Sequence, residues 1–216
     1  MSEVKGTWTE QELDALRSRV ASFMSEKRFT HTAAVEQMVA RLAALYAPEQ
    51  TVMLRVAALL HDITKELTVE QHRDICHRYG LSFTREDEMS PKTLHARTAA
   101  ALIPEHEPDF ASSDVIACVR WHTTGRVGMT LCEKLVYLAD YIDESRKFRD
   151  CVILREYFWG AHPESMTEDE RLRHLNRTLI LSFDMTMRGL LEDGSPISPD
   201  TVLARNDLLR FCEKGE

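Results

Sequence analysis

Apolar residues recur in this chain at intervals of three and four, and sustained alternation with a period of two is scarce. That spacing builds helices with one apolar face and gives no support for a sheet. His31, Val35, Met38, Val39, Leu42 and Leu45 form one stripe, and Met53, Val56, Ala57 and Leu60 a second. Leu131, Leu135, Leu138, Ala139 and Ile142 form a third. Helix starts are marked independently by four hydroxyl-to-carboxylate or amide pairs, Thr9/Glu12, Thr68/Gln71, Thr130/Glu133 and Thr167/Glu170, the capping-box pattern. Ser90-Pro91 and Ser198-Pro199 read as a cap followed by a first-turn proline, and Gly80 and Gly194 as helix C-terminal residues. Together these marks predict an all-α chain. Its helices fall at about 10–26, 30–46, 49–62, 69–79, 91–103, 114–122, 131–144, 168–192 and 199–212.

The 216 residues suffice for one well-cored domain. We expect an N-terminal helix over 1–25 packing on a bundle over 26–160, and a C-terminal helical pair over 161–216 completing the same domain. The seam falls in the stretch from Pro163 to Asp169. The charge balance, 27 basic against 35 acidic residues, gives −8 and argues against a nucleic-acid or anionic-membrane binder. A phosphate ligand would then need positive charge gathered locally, by a metal or by a few Lys and Arg. No apolar run approaches the roughly 18–20 residues of a membrane span, and the N-terminus has no leader pattern. Five scattered cysteines without a C-x-x-C pair argue for a reducing compartment, so a soluble cytoplasmic protein is expected.

The informative residues are polar groups set into apolar helix. His61 and Asp62 follow the run Ala57-Ala58-Leu59-Leu60, and Asp140 has apolar residues on every helical face. An unpaired buried carboxylate costs several kcal/mol, so it needs a cation, strong hydrogen bonds or a shifted pKa. A salt bridge to a nearby Arg or Lys would also satisfy Asp140. His31 shares its stripe with Val35 and Met38 and so faces the core. His31, His61, Asp62 and Asp140 together make an imidazole–carboxylate set suited to iron, manganese, cobalt, nickel or zinc rather than magnesium or calcium. Adjacent His61 and Asp62 reach one ion only near a helix end or bend. His95 follows Leu94, and His122 precedes Thr123-Thr124-Gly125 at a helix C-terminus. His72, His77, His106, His162 and His174 lie among charged residues and read as surface.

These words resemble the signature of the HD-domain metal-dependent phosphohydrolases. Arg28-x-x-His31, Ala58-Leu59-Leu60-His61-Asp62-Ile63-Thr64-Lys65, Leu94-His95, His122-Thr123-Thr124-Gly125-Arg126 and the stretch Glu133 to Arg146 resemble in particular the bacterial YqeK family of symmetrical diadenosine tetraphosphate hydrolases. The resemblance spans about residues 28 to 146. It implies an HD-domain helical bundle with additional C-terminal helices, iron-containing and often dimeric, that cuts diadenosine tetraphosphate into two ADP. It implies metal ligation by His31, His61, Asp62 and Asp140. It places Arg28, Lys65, His95, His122, Thr123 and Arg146 toward the phosphates, while His95 and His122 could instead complete a second metal site. Two positions differ from the family pattern: Asp143-Glu144-Ser145 precedes Arg146 where a Glu-Pro turn is usual, and Thr98 stands where glycine is common.

On this reading a metal-activated water attacks the polyphosphate, with Asp62 bridging if two ions are held. Lys65 brings an ammonium to the attacked phosphate, Arg28 and Arg146 hold its neighbours, and His95 or His122 protonates the leaving ADP. The rival readings keep the fold. One is a phosphohydrolase of another nucleotide, such as a nucleoside monophosphate or guanosine tetraphosphate. The other is a non-catalytic nucleotide-binding sensor. An HD-type di-iron oxygenase lacks support, because the extra residues are cationic and hydroxyl-bearing.

Overall fold

The computed structural model describes residues 8–213; among them are eleven α-helices and no strand, so the all-α expectation holds. Residues 1–7, on which the expectation of no leader falls, and the side chain of Cys212 lie outside the described residues. The other four cysteines are free thiols.

α3 (Thr51–Leu60) is the axis of the bundle. Met53, Leu54 and the unbroken run Val56 to Leu60 are all buried, and a helix apolar on nearly every side belongs in the interior. Packed around it are α1 (Glu10–Phe23), α2 (Glu26–Tyr46), α7 (Ser113–Trp121) and α8 (Leu131–Ile142). α4 (Val69–Arg78) rests on α6 (Leu94–His106), which packs on α7; the short α5 (Arg85–Met89) lies between them in sequence. α9 (Arg149–Gly160) and α10 (Glu168–Glu192) cover α8, and α11 (Pro199–Glu213) packs on α10. Tyr137 of α8 is wholly buried, its ring 4.8 Å from that of Phe183 on α10. No helix among the described residues is long and apolar enough to cross a membrane.

All four expected capping boxes form, and a fifth closes α5 from Thr84 and Asp87. The sequence reading passed over the fifth because its third-position residue is Asp rather than Glu or Gln. Gly80 and Gly194 take positive φ at the ends of α4 and α10. Gly125 is more tightly constrained: its φ is 65°, and a Cβ there would stand 2.7 Å from Phe183 Cζ and 3.1 Å from Ala204 Cβ. This glycine lets the turn after α7 lie against the C-terminal helices.

Several boundaries differ from expectation. The first long helix stops at Phe23, and Ser25 caps a new one at Glu26, which puts His31 in the second turn of α2 rather than at its head. Pro91 opens a single 3₁₀ turn, so α6 begins only at Leu94. α9 was missed entirely. It buries just Cys151, Leu154 and Phe158, and its N-cap is Phe148, so neither the stripe nor the cap stands out from the charged residues around it. His72 and His174 are buried, not surface residues, because the 3.6-residue period turns them inward from otherwise polar helices.

Candidate active site

The site forms where several helix ends meet. α2 supplies His31 from its second turn. α3 ends at Leu60, so His61 is its C-cap and Asp62 and Lys65 lie in the turn beyond, the helix end that two adjacent ligands require. α6 supplies His95 from its first turn, α7 ends in His122 and Thr123, and the last turn of α8 carries Asp140. His31, His61, Asp62, His95, His122 and Asp140 are all buried.

Four side-chain donors converge from α2, the end of α3, and α8. His31 Nε2 is 2.9 Å from Asp140 Oδ1 and 3.7 Å from Asp62 Oδ2. His61 Nε2 is 3.4 Å from Asp62 Oδ2 and 3.8 Å from Asp140 Oδ1. First-row divalent cations bind such atoms at about 2.1 Å, which at angles of 90–110° spaces neighbouring ligands roughly 3.0–3.4 Å apart. One of the four separations falls in that range and the others lie within about 0.4 Å of it, so small adjustments would let one ion be shared. The ring orientations agree. His61 Nδ1 donates to the carbonyl of Ala58 at 2.6 Å, leaving a lone pair on Nε2, and that Nε2 is buried without a hydrogen-bond partner. His31 Nδ1 lies 3.4 Å from Asp143 Oδ2 and 3.2 Å from Ser145 Oγ, the carboxylate-behind-histidine arrangement that aims the other nitrogen at a metal. An orphaned buried lone pair facing two carboxylates is the chemistry of a cation site.

Asp62 has two faces. Its Oδ2 meets His31, His61 and Arg28, whose Nη1 donates at 2.9 Å. Its Oδ1 makes no hydrogen bond and faces His95 Nε2 at 3.3 Å, His122 Nε2 at 3.9 Å and Lys65 Nζ at 4.0 Å. On this second side the hydrogen atoms can be placed by elimination. His122 Nδ1 donates to the Val119 carbonyl at 2.7 Å, so its Nε2 accepts. His95 Nε2, 2.9 Å away, then donates, and Lys65 Nζ lies 3.1 Å from His95 Nε2 and 3.3 Å from its Nδ1. Thr123 Oγ1 closes this side at 3.1 Å from His95 Nε2. The Lys65 ammonium therefore stands beside His95 and Asp62.

The protonation states follow from burial and charge. Burial alone favours the neutral forms of Asp62 and Asp140, yet both are held well below the usual carboxylate range. The neighbouring His61 and the Lys65 ammonium outweigh burial for Asp62, and the Arg146 guanidinium and His31 do so for Asp140. Burial also opposes charge on His31, but its hydrogen bonds to Asp140 and Asp143 lift it to about 9. Burial, reinforced by the Lys65 charge, pushes His95 well down, and burial with the nearby His61 brings His122 to about 4. Burial likewise lowers Lys65.

Every expected site residue is here. Arg146 Nε donates to the Asp140 carbonyl at 2.6 Å and Nη2 to the Asp140 carboxylate, so Asp140 has both the arginine salt bridge and the histidine contact that the sequence left as alternatives. Arg126 and Lys134 lie elsewhere, Arg126 on Glu133 and Lys134 on Asn176. Asp143 and Ser145 were not expected to orient His31. A buried aspartate one turn beyond Asp140 was their only signal. Arg155 of α9 was also missed. It donates to the carbonyls of Ile142, Asp143 and Arg146 and so holds the loop carrying Arg146. Thr98, the position that departs from the family pattern, accepts from His72 Nδ1 at 2.9 Å and lies 3.0 Å from Thr64 Oγ1, which donates to the His95 carbonyl. A cleft of about 650 Å³ opens onto His31 between Lys27, Arg28, Arg146 and Lys147.

The HD domain family model matches residues 28–145, the stretch that carries all four converging donors. The chain belongs to the HD domain family. Two bacterial relatives are similar over most of both chains. The symmetrical bis(5'-nucleosyl)-tetraphosphatase of Bacillus subtilis is 31% identical, covering 86% of this chain and 91% of its own. That of Halalkalibacterium halodurans is 31% identical, covering 88% and 93%. Within the HD domain family these relatives bear out the YqeK-type resemblance. A crystal structure from Clostridium acetobutylicum, described as a predicted HD superfamily hydrolase involved in NAD metabolism, is 31% identical with a TM-score of 0.79. It covers 95% of this chain and is itself covered completely. Divalent-metal binding is the common property of the HD domain, and the His and Asp clusters here have the donors for it.

Proposed function

We propose that this chain is a metal-dependent hydrolase that cleaves diadenosine tetraphosphate symmetrically into two ADP. The observation that carries this reading is the convergence of His31, His61, Asp62 and Asp140 with the His61 Nε2 lone pair left over. The relatives, named symmetrical bis(5'-nucleosyl)-tetraphosphatases, supply the substrate class.

His31, His61, Asp62 and Asp140 hold the ion, with iron as its identity from the family resemblance and manganese, cobalt, nickel or zinc compatible with the same donors. A divalent metal there supplies a water of lowered pKa and polarises the phosphoryl oxygen under attack. Asp143 and Ala58 fix the two ligand imidazoles. Lys65 places its ammonium against the attacked phosphate from the Asp62 Oδ1 side. Arg28 and Arg146, each spending part of its fork on a ligand carboxylate, turn their remaining N–H groups to neighbouring phosphates. His95, His122 and Thr123 serve as groups facing the phosphate oxygens, while His61, Asp62 and His122 are also close enough together to hold a second cation. The atoms balance: water adds to one inner phosphorus, the central P–O bond breaks, and the bridging oxygen leaves on the second ADP.

Cytoplasmic location, from the free thiols, and a homodimer, from the family resemblance, complete the proposal; the acidic charge balance supports the absence of a nucleic-acid partner. The test is elemental analysis of protein purified without added metal, paired with chromatography of products from diadenosine tetraphosphate. Two ADP and near-stoichiometric metal are expected. Inert dinucleoside polyphosphates alongside turnover of another nucleotide would replace this substrate assignment.

A further inference from the structure

The cleft over His31 is graded in a way that the metal centre alone does not require. At its floor His31 is 8% exposed. Above it Arg28 and Arg146 have side chains 26% and 25% exposed, and Lys27 and Lys147 are exposed. At the rim, in the same cleft, stands Phe148, 73% exposed. The lining thus runs from a buried ion ligand through a half-buried guanidinium pair to exposed groups, two ammonium ions and one aromatic ring.

Phe148 has no structural occupation that accounts for it. It is the N-cap of α9, a position where a Ser, Thr, Asp or Asn side chain would satisfy a free backbone N–H, and it makes no capping bond. Five other helices of this chain, α1, α4, α5, α8 and α10, place Thr at the same position and form the bond. Among the described residues no other ring contacts it, and it is absent from the buried cluster and the side chains packed on it. The chain thus spends a cap position on a large apolar side chain left in water, two residues beyond the arginine that holds Asp140. Two residues limit the Cα separation from Arg146 to about 7.6 Å.

A nucleoside polyphosphate has the matching set of groups. The attacked phosphate belongs at the ion, the next phosphates at the guanidinium and ammonium groups, and the base at the end of the arm. We propose that Phe148 is the platform on which a nucleobase of the substrate stacks. The proposal rests on the reading of this centre as a nucleoside polyphosphate hydrolase and adds to it how a base is recognised. Stacking on an aromatic face tolerates any base, so Phe148 gives affinity for a nucleotide over a bare polyphosphate without choosing adenine from guanine.

The test is calorimetric titration of the metal-loaded protein and its Phe148→Ala and Phe148→Trp variants with ADP and, separately, with inorganic pyrophosphate. ADP affinity should fall about tenfold in Phe148→Ala and return in Phe148→Trp, the size expected of one stacked base. Pyrophosphate, which has the charge but no base, should bind all three proteins within twofold. Equal ADP affinities, or parallel losses for ADP and pyrophosphate, would overturn the proposal. A change of oligomeric state in Phe148→Ala with ADP affinity intact would overturn it too, assigning the ring to contact between copies. If dinucleoside tetraphosphates are not hydrolysed yet ADP alone weakens, the platform stands and the reaction assignment fails. Normal hydrolysis with unchanged ADP binding has the opposite meaning.

Discussion

His61 Nδ1 donates to the backbone carbonyl of Ala58 at 2.6 Å, three residues back and at the point where α3 runs out. That bond fixes the tautomer, and the free Nε2 faces Asp62 and Asp140. The helix end that leaves the carbonyl of Ala58 accessible is the same feature that lets His61 and Asp62, adjacent in sequence, turn toward one point.

Asp62→Ala removes a donor facing both sides of the site. Bound metal should fall to background by elemental analysis and turnover should drop by at least ~100-fold, while far-UV circular dichroism stays helical. Near-normal metal content would take Asp62 out of the ligand set.

Lys65→Ala should leave metal content unchanged and lower kcat on diadenosine tetraphosphate by about 10²-fold, the usual effect of deleting one charged group aimed at the reacting phosphate. Unchanged kinetics would remove Lys65 from the site.

Asp143→Asn keeps the shape and deletes the charge behind His31. Metal affinity should weaken about 10–100-fold, as for other carboxylates that orient a ligand imidazole, with recovery of turnover at high metal concentration. A loss of turnover that added metal does not rescue would show that Asp143 acts on something other than the ion.

The metal-free protein should lose stability as pH rises from about 6.5 to 9. Burial opposes the His31 charge, but Asp140 and Asp143 outweigh it and raise its pKa to about 9 in the folded state, against 6.5 unfolded. The resulting stabilisation is complete below 6.5 and lost as pH passes through 9, amounting to up to ~3 kcal/mol. His95 and His122, both depressed, are already neutral above 6.5 and contribute no change across this window. Metal-loaded protein should be spared, because the ion takes the place of the proton. Calorimetric melting of both forms at the two pH values checks this; identical declines would refute it.

How much could be read in advance depended on the range of each signal. Thr9, Thr68, Thr130 and Thr167 announced their helices because a capping box acts within four residues. α9 was silent because Phe148 replaces the cap and only three inward residues mark its stripe. His31, His61, Asp62 and Asp140 stood out because polar groups in apolar helix need partners. Asp143 and Arg155 did not, since each acts through a contact that only the folded chain creates.

The sequence by itself determined the helical class, most helix starts, and which imidazoles and carboxylates had to be satisfied inside the bundle. These follow from periodicity, capping and the cost of burying charge, all of which act locally along the chain. The tertiary structure alone decided that Asp62 faces two different partner sets, that Lys65 stands beside His95, and that Arg146 is the residue that pairs with Asp140. Those outcomes depend on the relative placement of α2, α3, α6, α7 and α8, which is fixed by long-range packing rather than by local pattern.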